Sequence, residues 1–354
     1  MSMGCVSRSW IFTLIKLITE QKNMKKKLSL LLCLAMTLFV MTSSTKITTI
    51  FVIGDSTAAE KSNFKDNPER GWGMVLQGFF DDKILVDNHA VNGRSSKSFI
   101  NEGRWQKVLD RLKPGDYVFI QFGHNDEKPK PDRHTDPGST FDANLRRFVE
   151  ETRQKGGIPV LFNSVVRRCW YAENLKNDDD EKLRKTVFDG EEKINSDTLI
   201  DTHGAYVVAP RRVAQELNVP FVDATKITHD IETSLGIKGS RSLHMWYKPG
   251  EVPSIPKGRM DNTHYNVYGA RIIAGALADA IGKAVPALGK HVRHYDYVVS
   301  AEGRGNFMTL QDAVNAVPAG KKTTILILGG KWNKPTGTQG KKIKYVKYWG
   351  AKVK

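Results

Sequence analysis

Phe51-Val52-Ile53-Gly54-Asp55-Ser56-Thr57 runs an apolar segment into a glycine and then into a small polar cluster. The apolar residues are β-branched or aromatic and few, which reads as a strand buried on both faces, the kind found inside a parallel sheet. Gly54 permits the sharp turn that follows. A strand ending in such a turn presents Ser56 at the carboxyl edge of the sheet, beside backbone N–H groups able to receive developing negative charge. Gly-Asp-Ser is also ordinary turn chemistry, so the reading depends on partners further along the chain.

Outward from this run, short apolar segments alternate with helical ones. Candidate strands are 47–53, 84–88, 117–122, 159–163 and 219–222; candidate helices are 71–80, 103–112, 141–155, 206–217 and 267–282. This alternation predicts an α/β fold, a three-layer α/β/α sandwich around a mainly parallel five-stranded sheet, with ligands gathered at the carboxyl ends of the strands. Two irregular stretches interrupt it. One, Arg167 to Gly204, holds a charged run from Asn177 to Lys182 and is expected to be functional or mobile. The other, Gly236 to Met260, carries His244, Met245, Trp246, Tyr247 and Lys248, which either line a sugar-binding groove or simply pack a loop.

The chain has 354 residues and a formal charge of +16. That charge lies at the ends. Residues 1–45 hold six Lys or Arg against one acid and residues 319–354 hold ten Lys and no acid, which leaves 46–318 a net +1. A nearly neutral body lacks the basic face that nucleic-acid binding requires. From Met24 a basic segment (Lys25, Lys26, Lys27) precedes an apolar run from Leu28 to Met41 and the small residues Thr42, Ser43 and Ser44. This is the pattern of an export signal, too short to span a membrane, and it predicts a secreted or periplasmic product that starts at Met24. Cys33 reads as filler within the apolar run. Removal of the signal leaves Cys169 as the one thiol, so no internal disulfide is expected.

Residues 46–283 form the predicted main domain and 284–294 a linker. Beyond it 295–300 alternates like a strand, 309–317 reads as a helix and 323–328 as another strand. The last 25 residues lack acids and clear periodicity and are expected to be unable to order themselves.

Four polar blocks punctuate the main domain: Gly54-Asp55-Ser56-Thr57, Asn88-His89-Ala90-Val91-Asn92-Gly93-Arg94-Ser95, Phe122-Gly123-His124-Asn125-Asp126 and Asp261-Asn262-Thr263-His264. Ser56 needs a base to take its proton, and His264 is the side chain suited to that task. Asp261, three residues earlier, can receive the Nδ1 proton and leave Nε2 free; a triad is defined by geometry and not by chain order. In this order and spacing the four blocks resemble the SGNH (GDSL-like) hydrolases. Gly71-Trp72-Gly73, Asn92-Gly93-Arg94-Ser95-Ser96, Arg167-Arg168, Asp201-Thr202-His203-Gly204-Ala205-Tyr206 and Asp261-Asn262-Thr263-His264-Tyr265 narrow the likeness to the rhamnogalacturonan acetylesterases, over about residues 48–282.

The resemblance implies the catalytic set Ser56, Asp261 and His264, an oxyanion hole from the N–H groups of Ser56 and Gly93 with the Asn125 amide, and no cofactor or metal. A metal set from Asp261, His264, His124 and Asp126 would leave the serine unexplained. Arg94, Arg167 and Arg168 are candidates either for pairing with galacturonate carboxylates or for structural ion pairs, and His124 and Trp246 for further substrate contact. The implied partner is an acetylated pectic polysaccharide; alternatives are acetylated xylan, another acyl ester, or carbohydrate binding without catalysis. The composition leaves the oligomeric state open. The segments 295–307 and 309–318 resemble the opening of pectin methylesterases, which are parallel β-helices. About 60 residues could supply only the first coil or two, so this tail is expected to be a truncated β-helix start without activity of its own.

Overall fold

The computed structural model describes residues 47–172, 188, 190 and 192–354, together with residues 21, 22, 24, 26 and 27, which are helical. Most of the export segment expected from the sequence, and the whole Asn177–Lys182 run, lie outside the described residues.

In chain order the first elements are strand β1 (Thr48–Gly54), the two-residue β2 (Glu69–Arg70), helix α1 (Trp72–Val75), β3 (Ile84–Asn88), α2 (Ser96–Asn101), α3 (Arg104–Leu109), β4 (Tyr117–Gln121), α4 (Thr140–Gln154) and β5 (Ile158–Phe162). There follow α5 (Ala205–Glu216), β6 (Phe221–Val222), α6 (Ala224–Ser240), β7 (Tyr265–Asn266) and α7 (Val267–Ala284). Strands β3-β1-β4-β5-β6 lie side by side in one parallel sheet. This is the α/β/α sandwich that the alternation predicts.

Successive residues of β1 bury on opposite faces, as the two-residue strand period requires. Ile50 and Val52 join Trp72, Phe119, Phe162, Ile273 and Leu277 under α1 and α7. Phe51 and Ile53 join Phe99, Trp105, Ile120, Phe148 and Val213 under α2 to α5. With both faces covered, β1 has to be apolar from Ile50 to Ile53, and past its carboxyl end a polar side chain can reach a ligand.

Two helices are not marked by the periodicity. α2 is one and a half turns long, and α6 is rich in β-branched residues and kinked at Gly236 (φ 68°, ψ −177°). Asp223 caps α6 by accepting the Lys226 N–H at 3.1 Å. Among the described residues no helix is long and apolar enough to cross a membrane.

The segment after α7 is more closely packed than a linker. Residues Pro286–Gly289 form a short helix, α8, with Leu288 buried, and the chain then bonds back onto the sheet domain: Asp81 N–H to His291 O at 2.9 Å and Arg293 N–H to Phe79 O at 2.9 Å. Strands β8 (Tyr297–Val299), β9 (Lys322–Leu328), β10 (Lys331–Trp332), β11 (Lys342–Tyr348) and β12 (Lys352–Val353) complete the chain, with helix α9 (Leu310–Asn315) between β8 and β9.

The expectation that the last 25 residues lack order is corrected here. β11 pairs in parallel with β9 at every position from Lys342↔Lys322 to Tyr348↔Leu328, and β12 pairs with β10. Each pairing joins residues about 20 positions apart, as in stacked coils. β11 is half-exposed and brings little core of its own. Its order comes from backbone pairing with β9, whose Ile325 and Ile327 are fully buried against α9, a contribution invisible in local hydropathy.

Candidate active site

Ser56 stands two residues past the end of β1, and its turn is held from below. The Asp55 carboxylate is fully buried and accepts the Thr57 N–H (2.9 Å) and hydroxyl (2.7 Å). It is thus the turn-former that its position predicts. Burial pushes its carboxyl up from the ordinary value. Gln121, from the end of β4, accepts the Trp72 indole N–H at 2.8 Å and approaches Thr57 Oγ1 at 3.2 Å. The Gly71-Trp72-Gly73 motif thereby gains a purpose: a Cβ on Gly73 would come within 2.7 Å of the Ala58 carbonyl, so glycine lets α1 rest against the backbone just past the serine.

His264 reaches the serine from the other side. Its Nε2 is 2.9 Å from Ser56 Oγ, and its Nδ1 is 3.2 and 3.1 Å from the two oxygens of Asp261. The carboxylate facing Nδ1 places the ring proton there, so Nε2 accepts from the serine hydroxyl. Asp261 Oδ1 also accepts the N–H groups of Thr263 (3.0 Å) and His264 (2.9 Å). One carboxylate therefore shapes its own loop and aims the imidazole. The loop is pinned elsewhere by Met245 N–H to His264 O at 3.0 Å and Arg168 N–H to Asn262 O at 2.9 Å.

The second and third blocks meet beside the serine. Gly93 has φ +75°, a left-handed conformation that favours glycine. Its N–H and that of Ser56 donate to no acceptor among the described residues. The chain then enters α2 through a reciprocal Ser95–Ser98 capping box. Asn125 donates its Nδ2 to the Arg94 carbonyl at 3.2 Å, placing the amide against the Gly93 loop. Asp126 braces the junction by accepting from Ser96 N (3.0 Å), Ser96 Oγ (2.5 Å) and Thr135 Oγ1 (2.9 Å). Burial pushes its carboxyl up to about 7 in spite of these donors. Among the described residues no group of three His, Cys, Asp or Glu side chains could hold a metal ion.

The remaining candidates fare unequally. Arg168 is fully buried and committed inward: Nε to Ser240 Oγ at 2.8 Å, Nη1 to Glu192 and to Asn262 Oδ1, and Nη2 to the Ile237 carbonyl. Of the two roles open to it, these contacts are those of the structural ion pair, a post for the Asp261–His264 loop. Arg168→Met should cost about 2 kcal/mol, because it takes a buried donor from Ser240 Oγ and the Ile237 carbonyl, while Glu192 keeps its pair with Arg241 at 2.9 Å. Urea unfolding measures this loss; unchanged stability with a raised KM for an acidic substrate would restore the binding role.

Arg167 is also buried, paired with Glu127 and donating to Thr202 Oγ1 at 3.1 Å. His124 is buried edge-on against His203, with ring centroids 4.4 Å apart, and neither ring nitrogen has a hydrogen-bond partner among the described residues. Burial, reinforced by the nearby cations His203 and Arg167, holds its ring well below the ordinary histidine range. Trp246 gives its indole N–H to Asn262 Oδ1 at 2.9 Å and lies under the Arg241 guanidinium at 4.5 Å. Arg94 alone among the four arginine and histidine candidates is substantially exposed, its Nε paired with Glu102 at 3.0 Å.

Sequence reading missed Lys61, Glu69 and Arg259. Lys61 Nζ donates to the Ser56 carbonyl (2.5 Å) and to Asn92 Oδ1 (2.8 Å) and pairs with Glu69 at 2.8 Å. Arg259 bridges Glu69 (3.1 Å) to Asp261 Oδ2 (Nε at 3.0 Å). A single signal was available: Arg259 lies two residues before Asp261, within side-chain reach.

Residues 52–272 match the model of the GDSL-like Lipase/Acylhydrolase family. The chain belongs to that family. It is therefore a carboxylic ester hydrolase. Over 255 residues this GDSL-like hydrolase is 35% identical to the rhamnogalacturonan acetylesterase RhgT of Bacillus subtilis, a match covering 72% of this chain and 96% of that protein. The rhamnogalacturonan acetylesterase of Emericella nidulans is 28% identical over 259 residues, 70% of this chain and 90% of its own. Among solved structures, the Bacillus subtilis protein YxiM superposes with a TM-score of 0.52 at 23% identity, covering 68% of this chain and 58% of that one. It shares the fold.

Proposed function

We propose that this GDSL-like hydrolase is an exported acetylesterase that releases acetate from the rhamnogalacturonan backbone of pectin through an acetyl-enzyme. The observation that carries the mechanism is the unbroken line from Ser56 Oγ through His264 to Asp261, each contact between 2.9 and 3.2 Å. His264 Nε2 takes the serine proton as Oγ bonds to the acetyl carbon. The oxygen of the tetrahedral intermediate takes the negative charge beside the N–H groups of Ser56 and Gly93 and the Asn125 amide. Collapse breaks the bond to the sugar oxygen, which leaves with the proton returned by His264. Water then repeats the sequence on the acetyl-serine, giving acetate and free enzyme.

The substrate reading rests on the two rhamnogalacturonan acetylesterases, matched over nine-tenths or more of their lengths. Arg94, partly exposed beside the Gly93 turn and paired with Glu102, remains the candidate for a uronate carboxylate. Acetate release from acetylated rhamnogalacturonan, homogalacturonan and xylan tests the proposal. The expected result is a kcat/KM at least about tenfold higher on rhamnogalacturonan, equivalent to about 1.4 kcal/mol. Equal or faster release from xylan would overturn the substrate and leave the esterase.

A further inference from the structure

Lys61, Glu69, Arg259 and Asp261 form a line of alternating charge that starts under the serine turn and ends on the carboxylate facing His264. Three salt bridges join them in sequence, and their side chains are 1%, 11%, 19% and 0% exposed. Burying four charges is costly and is weak evidence of a purely stabilising role. Strand pairing fixes the position of Glu69: it lies on β2, which pairs antiparallel with β7 through Glu69↔Asn266 and Arg70↔Tyr265, and β7 begins directly after His264. The far end of the line reaches both other parts of the site, since Lys61 holds the carbonyl of Ser56 and the side chain of Asn92, the residue before Gly93.

We propose that these three residues are a positioning device for ester hydrolysis, in which Glu69 favours the protonated imidazole of His264, Arg259 opposes it, and Lys61 clamps the serine turn to the Gly93 loop. The inference rests on the triad reading above. An anion near an imidazole stabilises its cationic form and a cation destabilises it. The coupling is visible from the Glu69 side. Burial alone would push that carboxyl up, yet a protonated His264, followed by Lys61 and Arg259, brings it down to about 2. Other ionisable groups face His264 as well: Asp261 from its own loop, Asp55 from the serine turn and His124 from the loop after β4. They are common to all the variants below, so differences between variants isolate the line of charge.

The test measures kcat/KM for a chromogenic acetate against pH in the wild type, Glu69→Gln, Arg259→Gln, the double variant, and the charge-keeping Glu69→Asp and Arg259→Lys. A fluorophosphonate that labels the active serine counts the competent enzyme in each preparation. The acidic limb of the profile should move down by about half a unit in Glu69→Gln, up by a similar amount in Arg259→Gln, and back toward wild type in the double variant. The charge-keeping variants should hold the wild-type limb, even with lower kcat. A limb that stays in place in both single variants, or moves in the same direction in both, overturns the proposal whatever happens to turnover. If Glu69→Gln yields no competent enzyme, the Arg259 pair decides alone: a limb that moves up in Arg259→Gln and holds in Arg259→Lys supports the proposal, and any other result overturns it. Failure of the wild type to take up the fluorophosphonate would instead remove the triad reading beneath it.

Discussion

Ser56→Ala should lower acetate release by on the order of 10⁶-fold, the scale seen when a nucleophile that works as a unit with its base is removed. The effect is this large because the Ser56 hydroxyl is the group that His264 Nε2 meets, at 2.9 Å, and the neighbouring polar side chains are committed elsewhere. Asp55 points down into the turn toward Thr57, and Lys61 is occupied by Ser56 O, Asn92 and Glu69. The fold should survive, since the side chain of Ser56 meets His264 while the turn itself is held by Asp55 through Thr57. Single-turnover acetate release from a soluble ester, read beside the thermal unfolding midpoint, separates the two effects. A variant within about a hundredfold of wild type would mean that the attacking group is a water or another residue, because oxyanion donors and substrate binding alone leave about 10³- to 10⁴-fold over the uncatalysed rate.

The sheet and the four polar blocks were legible because each is local. β1 is apolar in every buried position, and the two-faced core explains why. The triad spacing was legible because Asp261 and His264 share one turn. Two features that escaped depend on long-range pairing. The order of β11 is supplied by β9, and the fixed place of Glu69 by β7, far away in sequence. Arg168 stayed undecided between ligand and ion pair because an arginine on a loop looks the same in sequence whether its guanidinium meets a ligand or, as here, Ser240, Glu192 and Ile237. Helix α6 was missed although its cap, Asp223, was in plain view, because Thr225, Ile227, Thr228 and Ile231 lower its helical signal.

Asp261→Asn should cost about 10⁴-fold in kcat with little change in KM, because it alters which ring nitrogen of His264 carries the proton. Asp261 Oδ1 receives two backbone N–H groups, from Thr263 and His264, so the amide oxygen of an asparagine will settle there. The NH₂ group must then take the place of Oδ2, where it meets two donors: the Arg259 guanidinium and the Nδ1–H of His264. The ring can escape the second conflict by moving its proton to Nε2 and accepting from the amide through Nδ1. In that tautomer a donor faces the Ser56 hydroxyl, and the base has no lone pair to offer. Arg259 cannot move aside cheaply, because Glu69 holds its other edge at 3.1 Å. Kinetics on a soluble acetate, with ¹⁵N resonances of the His264 ring to identify the tautomer, check both halves of the argument. A kcat within about tenfold of wild type, with the proton still on Nδ1, would mean that the imidazole is oriented by the line of charge behind it and not by the carboxylate it touches.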